Sequence, residues 1–581
     1  MAATSVATRP AGLPLQRIRL DVATILCTLL LATVAFVVLY PIVLLAINSF
    51  NVAPFGRAAT WGLDNWQTAL SQPRIVNALK NTVSLAVVRQ AIAVVVGIGI
   101  AWVLARTNVP GRGWLEMCFW FALLLPVLPI LLGWIILLDG HHGLLVTAVR
   151  QVFPGFGFDI FSWWGIIAAH LMINLIPLKV FLLTPAFRNM DSSLEEASRA
   201  SGASTLRTVV RIVIPLMAPT ILFVTLLGLI RSMQSFEIEL ILGGAAKIDV
   251  YSTLIYRQVL QSPPQYGTAT ALSMVVLVGL IPFILLQQHL VARRNFTTVS
   301  GKYTNRLYDL GPLKWPTFAL IAGLLVFIIV VPVILMILGT FMKVFGVFDL
   351  PTGIWTLNNW QRVLADPKLT RGLLNTLTIA GGSMIFSITL FTIIAYVSVR
   401  TRYVGRRILD FITWIPSTVP GIVTSLGLLW LFIGTPFFRP LYGTTWVLII
   451  ALGFAGLTLG VQLIKASMMQ LGAELEEASW ASGAGRIYTL RRVVLPLIAP
   501  TMAVVALQNF GAAASAVSLV ALLGSSNNKP LSLMQLEYMD TGSFEPATVL
   551  GVIIFMLTVS AAILARLVSM RWGLGRFDRS R

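Results

Sequence analysis

The sequence predicts an all-α integral membrane protein built from two parallel six-helix repeats, about twelve transmembrane helices in all. Three observations carry that prediction. Of 581 residues, 57% are hydrophobic and only 11% charged, against about 25% charged in soluble domains. The apolar residues gather into twelve runs, each near the roughly 20 residues that a helix needs to cross the hydrocarbon core. Short motifs from the first half return in the second at fixed offsets, the mark of an internal repeat.

The first run, 22–47, follows Arg9, Arg17 and Arg19. It is longer than a signal-peptide core of roughly 7–15 residues and lacks a small-residue cleavage site, so it reads as a retained helix. Runs at 82–104, 115–138, 163–184, 212–230 and 269–291 complete the first set; 318–341, 376–399, 409–432, 445–464, 495–523 and 547–567 form the second. The domains that follow are a tail at 1–20, a first repeat at 21–292, a polar linker at 293–315, a second repeat at 316–570 and a basic tail at 571–581. An even number of crossings returns each half to its starting side, so the repeats are parallel and a pathway is expected between them. With both termini placed in the cytoplasm, 26 of the 42 Lys and Arg residues fall on the inner side, 12 on the outer side and four in or at the ends of spans. This positive-inside bias accounts for most of the net charge of +20, and no nucleic-acid-reading motif accompanies it. Cys27 and Cys118 lie in apolar stretches with neither metal-ligand nor disulfide spacing.

Leu63-Asp64-Asn65-Trp66-Gln67 recurs as Leu357-Asn358-Asn359-Trp360-Gln361, and Asn81-Thr82 as Asn375-Thr376, both at an offset of 294. Later, Leu194-Glu195-Glu196-Ala197-Ser198 and Gly202 recur as Leu475-Glu476-Glu477-Ala478-Ser479 and Gly483 at an offset of 281, and Pro215 and Pro219 return as Pro496 and Pro500.

Between the fourth and fifth runs of each half lies a polar loop that is unusually alike in the two copies, although loops normally vary most. The first reads Asp191-Ser192-Ser193-Leu194-Glu195-Glu196-Ala197-Ser198-Arg199-Ala200-Ser201-Gly202, then nine residues, then Ile212-Val213-Ile214-Pro215. The second runs from Glu474 to Gly483, then nine residues, then Val493-Val494-Leu495-Pro496. Ser193 and Glu196 have capping-box spacing, the carboxylates sit in a first helical turn where the macrodipole favours them, and Gly202 supplies a left-handed stop. On spacing alone two readings of this short helix stand: a rigid knob for docking another protein, backed by Arg207, Arg211, Arg491 and Arg492, or an ordinary interfacial helix. The string E-A-A-x-x-x-G followed after nine residues by I-x-L-P resembles the signature loop of binding-protein-dependent ABC transporter permeases, with Ser in the third place of both copies and Ile214 and Val493 as mild departures. The resemblance covers nearly the whole chain, in a fused layout like that of the iron(III) permeases. It implies a type I importer fold in which Glu195, Glu196, Ala197, Gly202, Glu476, Glu477, Ala478 and Gly483 belong to cytoplasmic coupling helices seated in two copies of an ABC ATPase subunit. It also implies ATP and Mg on those partners with no cofactor on this chain, an extracytoplasmic solute-binding protein, and a bacterial inner membrane. The fused layout points to ferric iron as cargo; 2-aminoethylphosphonate, thiamine or another small solute are alternatives within the same class.

No Walker loop, H-E-x-x-H or G-x-S-x-G occurs, so the chain reads as a transport subunit and not an enzyme. The stretch 297–303 lacks the upstream glycine of a phosphate loop and reads as linker. A charge at the centre of a span costs about 2.5–3.5 kcal/mol and marks function by default. Glu237 and Glu239, placed at the end of the fifth span, meet Ser518 and Val520 in the second half; their i, i+2 spacing suits a passing cation or amine, and the alternatives are a solvated helix end or a salt bridge with Arg231. Arg89, opposite Ser383, either compensates a glutamate or contacts an anionic substrate. Pro126, Pro129, Pro416 and Pro420 break the third span of each half, where freed carbonyls are tolerated only against protein or water, and so shape the conduit. Asp139, His141 and His142 form a metal-like trio in an outer loop, although adjacent histidines in short loops are usually solvated; His170 and His289 read as polar packing groups. The class rival is a secondary transporter with six plus six helices, whose basic loop between spans two and three is matched only weakly by 106–112. A membrane-embedded enzyme would need convergent catalytic groups that four scattered histidines do not provide.

Overall fold

The computed structural model describes residues 22–54, 57–190, 193–292, 307–348 and 353–571. The tail at 1–20, linker residues 293–306 and the basic tail beyond Arg571 lie outside them. Nine described helices are long and apolar enough to cross a membrane, and counting each of three bent pairs as one span brings the number to twelve. The first half has Val22–Asn48, Pro73–Arg106, the pair Arg112–Ala122 and Val127–Leu138, Trp163–Arg188, Thr205–Met233 and Tyr266–Ala292. The second repeats the order with Gly311–Gly339, Pro367–Arg400, the pair Arg406–Ser417 and Gly421–Gly434, the pair Thr445–Ala455 and Leu457–Gln470, Arg486–Ala514 and Phe544–Arg571. Large apolar side chains such as Val95, Leu320 and Ile385 stand exposed on the bundle's outside, as lipid solvation requires.

Proline punctuates these helices. Pro73 and Pro367 occupy the first turn of the two second spans, where a missing N–H costs nothing; both helices therefore start nine residues before the apolar run does. All four described π-helical turns end two residues before a proline: Leu171–Leu175 before Pro177, Val209–Val213 before Pro215, Val326–Val330 before Pro332 and Leu490–Val494 before Pro496. The proline ring would strike the carbonyl four residues back, and the wider turn gives that carbonyl room.

The repeated motifs become repeated bonds. Asn65 Nδ2 donates to the carbonyl of Asn51 at 2.8 Å, and Asn359 Nδ2 to that of Met342 at 2.8 Å, so each pins the turn that leaves its first or seventh span. Asn81 Nδ2 donates to Asp249 O while Thr82 Oγ1 accepts from Tyr251 N; Asn375 Nδ2 donates to Asn527 O and Thr376 Oγ1 accepts from Leu531 N. Each Asn-Thr pair thus catches the start of a short helix, Tyr251–Leu260 or Leu531–Asp540.

The halves interlock through their first helices. Span one packs on the ninth span of the other half, and span seven on Val127–Leu138 of the third. Small residues let backbones approach there: a Cβ on Gly427 would lie 3.0 Å from Pro41 O, and one on Gly133 only 2.0 Å from Pro332 O. The described end of the linker also docks on the first half, with Tyr308 N donating to Arg106 O at 2.7 Å and Asn108 N to Tyr308 O at 3.1 Å.

Three expectations need correction. The run 495–523 is not one helix: the helix ends at Ala514, and 515–530 is a chain of turns, buried over most of 517–523, whose backbone groups bond to side chains, as in Ser532 Oγ to Ala516 O and Leu522 N to Ser425 Oγ. Apolar content alone does not separate such a segment from a helix. Glu237 and Glu239 do not lie in the fifth span, which stops at Met233; they open a separate helix, Glu237–Ala246. Neither glycine nor proline marks that break; Ser235 makes it, its hydroxyl and amide both bonding back to Ser232 O. The seventh span begins inside the expected linker, at Gly311.

Candidate functional site

The two signature loops stand at one end of the bundle as short helices, Ser193–Ala200 and Glu474–Ala481. Gly202 and Gly483 follow at φ +81° and +85°, the left-handed conformation that closes a helix, and Ala203 N and Ala484 N then reach back to Ser198 O and Ser479 O, both at 3.1 Å. Ser198 and Thr208 hydroxyls meet at 2.9 Å and Ser479 and Thr489 at 2.8 Å, fixing each short helix against the span that follows. Ala473 stands at the cap of the second copy and makes no side-chain bond, so the capping box belongs to the first copy's sequence alone.

The glutamates of each loop divide by role. Glu195 and Glu476 are 8% and 3% exposed; they turn inward to Arg106 Nη2 at 3.2 Å and Arg400 Nε at 2.8 Å. Each arginine ends a second span and also holds carbonyls of the chain entering the loop, Met190 O from Arg106 and Met468 O and Leu471 O from Arg400. Within the helices expected to couple to the ATPase, Glu195 and Glu476 thus face inward as anchors, because neighbours in a helix face different sides. Ala197, Gly202, Glu477, Ala478 and Gly483 are exposed, and Glu196 is half-buried.

Deeper in the bundle the helices bend where proline was expected to break them. The third span turns through 103° and the ninth through 112°. Pro126 stands immediately before Val127–Leu138, Pro420 before Gly421–Gly434, and Pro416 lies in the last turn of the first arm, Arg406–Ser417. Pro129 is not at the break; it sits in the first turn of the following helix, where its nitrogen has no helical bond to lose. Beside these bends lies a cavity of about 440 Å³, walled by the first span around Pro41, by Pro126 and Pro416, and by the segment Asn509 to Leu519. Glu237 borders it, and Ser518 N donates to Glu237 Oε1 at 3.2 Å.

Glu239 points elsewhere, since residues two apart on a helix do not share a face. It is 1% exposed, and so is Arg89, whose Nη1 meets Glu239 Oε1 at 2.7 Å. Arg89 also donates to Ser232 O and to Ser235 Oγ, and Glu239 Oε1 is reached by His170 Nε2 at 2.9 Å and Ser235 Oγ at 2.5 Å. Arg89 is therefore the partner of Glu239 and neither faces the cavity; Arg231 is not part of the cluster. His170 was legible only as packing, because nothing local ties it to a residue 69 positions away. At the matching places the second half has Ser383, Val520 and Ala451. Asn509, which the sequence did not single out, lines the cavity and donates to Ser387 Oγ at 2.8 Å. In the outer loop, Asp139 Oδ1 accepts from the amides of His141 and His142, both at 2.8 Å, so its carboxylate closes a turn. Among the described residues no three His, Cys, Asp or Glu are placed to hold a metal.

These features coincide with known families. The family model described as "Binding-protein-dependent transport system inner membrane component" matches twice, at 93–296 and 388–573. The chain is 30% identical to a "Probable ABC transporter permease protein y4fN" of Sinorhizobium fredii, covering 87% of this chain and 89% of that one. It is 26% identical to the "Ferric transport system permease protein FbpB" of Actinobacillus pleuropneumoniae over 90% of this chain and 75% of the relative. The "Sulfate transport system permease protein CysT" of Salmonella typhimurium is 28% identical over 36% of this chain and 74% of its own length. With one match in each half, each taking in a signature loop and the helices on either side of it, the chain belongs to the binding-protein-dependent transport system inner membrane components, the multi-pass inner-membrane permeases of ABC importers.

Proposed function

We propose that this permease forms the translocation pathway of an ATP-driven importer of ferric iron, with its two signature loops acting as coupling helices for two copies of a separate ATPase subunit. The observation that carries this reading is the duplicated loop, a short helix anchored from within by Arg106–Glu195 or Arg400–Glu476 and ended by a left-handed glycine. Such an element moves as a rigid body with its spans. Around it stand exposed apolar side chains, Leu194 and Leu206 in the first copy, Leu475, Ile487 and Tyr488 in the second, which would be covered in a complex. Both loops and both termini then lie in the cytoplasm; ATP and Mg sit on the ATPase, and a solute-binding protein delivers cargo from the other side. Nucleotide binding that favours one arrangement of the halves shifts the population toward it.

Ferric iron is favoured because the relatives that match along most of the chain include ferric transport permeases, whereas the molybdenum and sulfate permeases match about a third of it. The test is ATP hydrolysis and uptake in proteoliposomes holding this chain, its ATPase and its binding protein, with ferric ion and 2-aminoethylphosphonate offered in parallel. Gly202→Asp together with Gly483→Asp is expected to abolish uptake while the permease stays folded. Uptake that needs no ATPase and follows an ion gradient would replace this reading with a secondary transporter.

A further inference from the structure

We infer that Glu237 is the cargo-contacting carboxylate of the pathway, and that the cavity it borders takes small cations. The inference rests on reading the chain as an importer permease. Glu237 and Ser518 are separated by 281 residues, the same offset that relates the two signature loops, so they are equivalent positions of the two repeats. They touch, Ser518 N donating to Glu237 Oε1 at 3.2 Å. Equivalent positions of two parallel repeats meet only on the axis that relates them, which is where a pathway between such repeats runs.

The chemistry of the cavity is one-sided. Glu237 is the sole charged group in its lining; the polar remainder is Thr424, Asn509, Ser515 and Ser518, and the rest is apolar. Among the described residues no cation pairs with Glu237, whereas Glu239, two positions on, is taken up by Arg89 and His170. The two acids thus have separate tasks. Glu239 is a positioning residue: its buried pair fastens the helix Glu237–Ala246 to the second and fourth spans, which holds Glu237 at the cavity edge. The second half supplies serine and valine at these positions, so the axis carries a single acid and no countercharge. A lone carboxylate between apolar walls attracts a cation and repels an anion, yet offers too few ligands to trap a metal ion. Conduction demands that compromise between entry and release. A first shell of six waters at about 30 Å³ each needs about 180 Å³, so a hydrated ion fits within about 440 Å³.

The test reads the cavity's charge without needing to know the cargo. With Cys27 and Cys118 replaced by serine, Thr424→Cys is labelled by cationic and by anionic methanethiosulfonate reagents, with and without nucleotide in the full complex. The cationic reagent is expected to react about tenfold faster relative to the anionic one, and Glu237→Gln to bring the ratio close to one. Adding Ser518→Glu to Glu237→Gln, which moves the acid across the axis, is expected to restore it. In proteoliposomes Glu237→Gln is expected to lower uptake of a cationic cargo about tenfold with ATP hydrolysis retained. Thermal unfolding of each variant, matched to wild type, separates lost selectivity from lost fold. A ratio unchanged by Glu237→Gln, or a cysteine that neither reagent reaches in either nucleotide state, overturns the inference and leaves the importer reading intact. Absence of ATP-dependent uptake in the wild type overturns the importer reading, and the labelling ratio still decides the charge of the cavity.

Discussion

Arg89 and Glu239 are joined across 150 residues, and a double-mutant cycle can measure what that joint is worth. The pair is 2.7 Å apart with both side chains 1% exposed; at an effective dielectric of about 20 the attraction is about 6 kcal/mol, set against several kcal/mol of desolvation for each ion. Removing one partner strands the other, at about 3–5 kcal/mol. Glu239→Val and Arg89→Ser install the residues of the second half; the first leaves Arg89 with no acid and should show that loss in full, the second leaves His170 against Glu239 and should show its lower end, so simple addition would give about 6–8 kcal/mol. The double variant strands no charge; it leaves a space and orphans the bonds of Ser235 and His170, for a cost of about 1–3 kcal/mol. The coupling is therefore about 3 kcal/mol or more in favour of the pair. Reversible unfolding of the purified permease in mixed micelles, followed by tryptophan fluorescence, measures all four corners. If the double variant loses as much as the two single variants together, the pair does not act as a unit and the account of how the helix Glu237–Ala246 is fastened is wrong.

Other outcomes follow from the same geometry. Gly133→Ala should destabilise by about 1–3 kcal/mol or more, and by more than Gly427→Ala, because its new carbon would sit 2.0 Å from a carbonyl where the other has 3.0 Å; thermal melts of the two variants rank them. Asn359→Ala should cost more than Asn65→Ala, within about 1–3 kcal/mol, since Asn359 is buried and Asn65 half-buried, again read by thermal melts. An added Cβ at Gly202 or Gly483 meets no neighbour, so Gly202→Ala and Gly483→Ala cost chiefly left-handed strain, about 1–2 kcal/mol; purified yield should hold while ATP-driven uptake falls. Arg400→Ala leaves Glu476 buried without its cation and should cost about 3–5 kcal/mol and uncouple ATP hydrolysis from uptake, which parallel assays would show.

The number of spans, the doubling and the signature loops were legible because each rests on local composition or on a string that returns. Ser198 and Gly202 could be aligned with Ser479 and Gly483 by eye, and the structure gives both copies the same bonds and the same positive φ. What escaped is non-local. Nothing near Glu195 says that it turns inward, since the arginine that claims it lies 89 positions upstream. The break after Met233 is made by serine bonding back on its own turn, a device serine also offers without breaking a helix. Residues 515–523 read as span because irregular backbone, when side chains satisfy it, is as apolar as helix. Arg89 and Glu239 were visible as costly charges, but only the fold shows that each answers the other.

The crossing of the first helices also fixes an order of events in synthesis. Pro41 finds its neighbour Gly427 only after about 390 further residues have been made, which at about 5–20 residues per second takes roughly 20–80 seconds. For that interval the helix Val22–Asn48 lacks its packing on the ninth span, and the sixth span, Tyr266–Ala292, is the neighbour that reaches it earlier. Its composition suits the wait: it has no Asp, Glu, Lys or Arg in its 27 residues, so a bilayer alone keeps it inserted. Closure of the molecule therefore belongs to the late stage of translation, when the ninth helix arrives to meet a first one already in place.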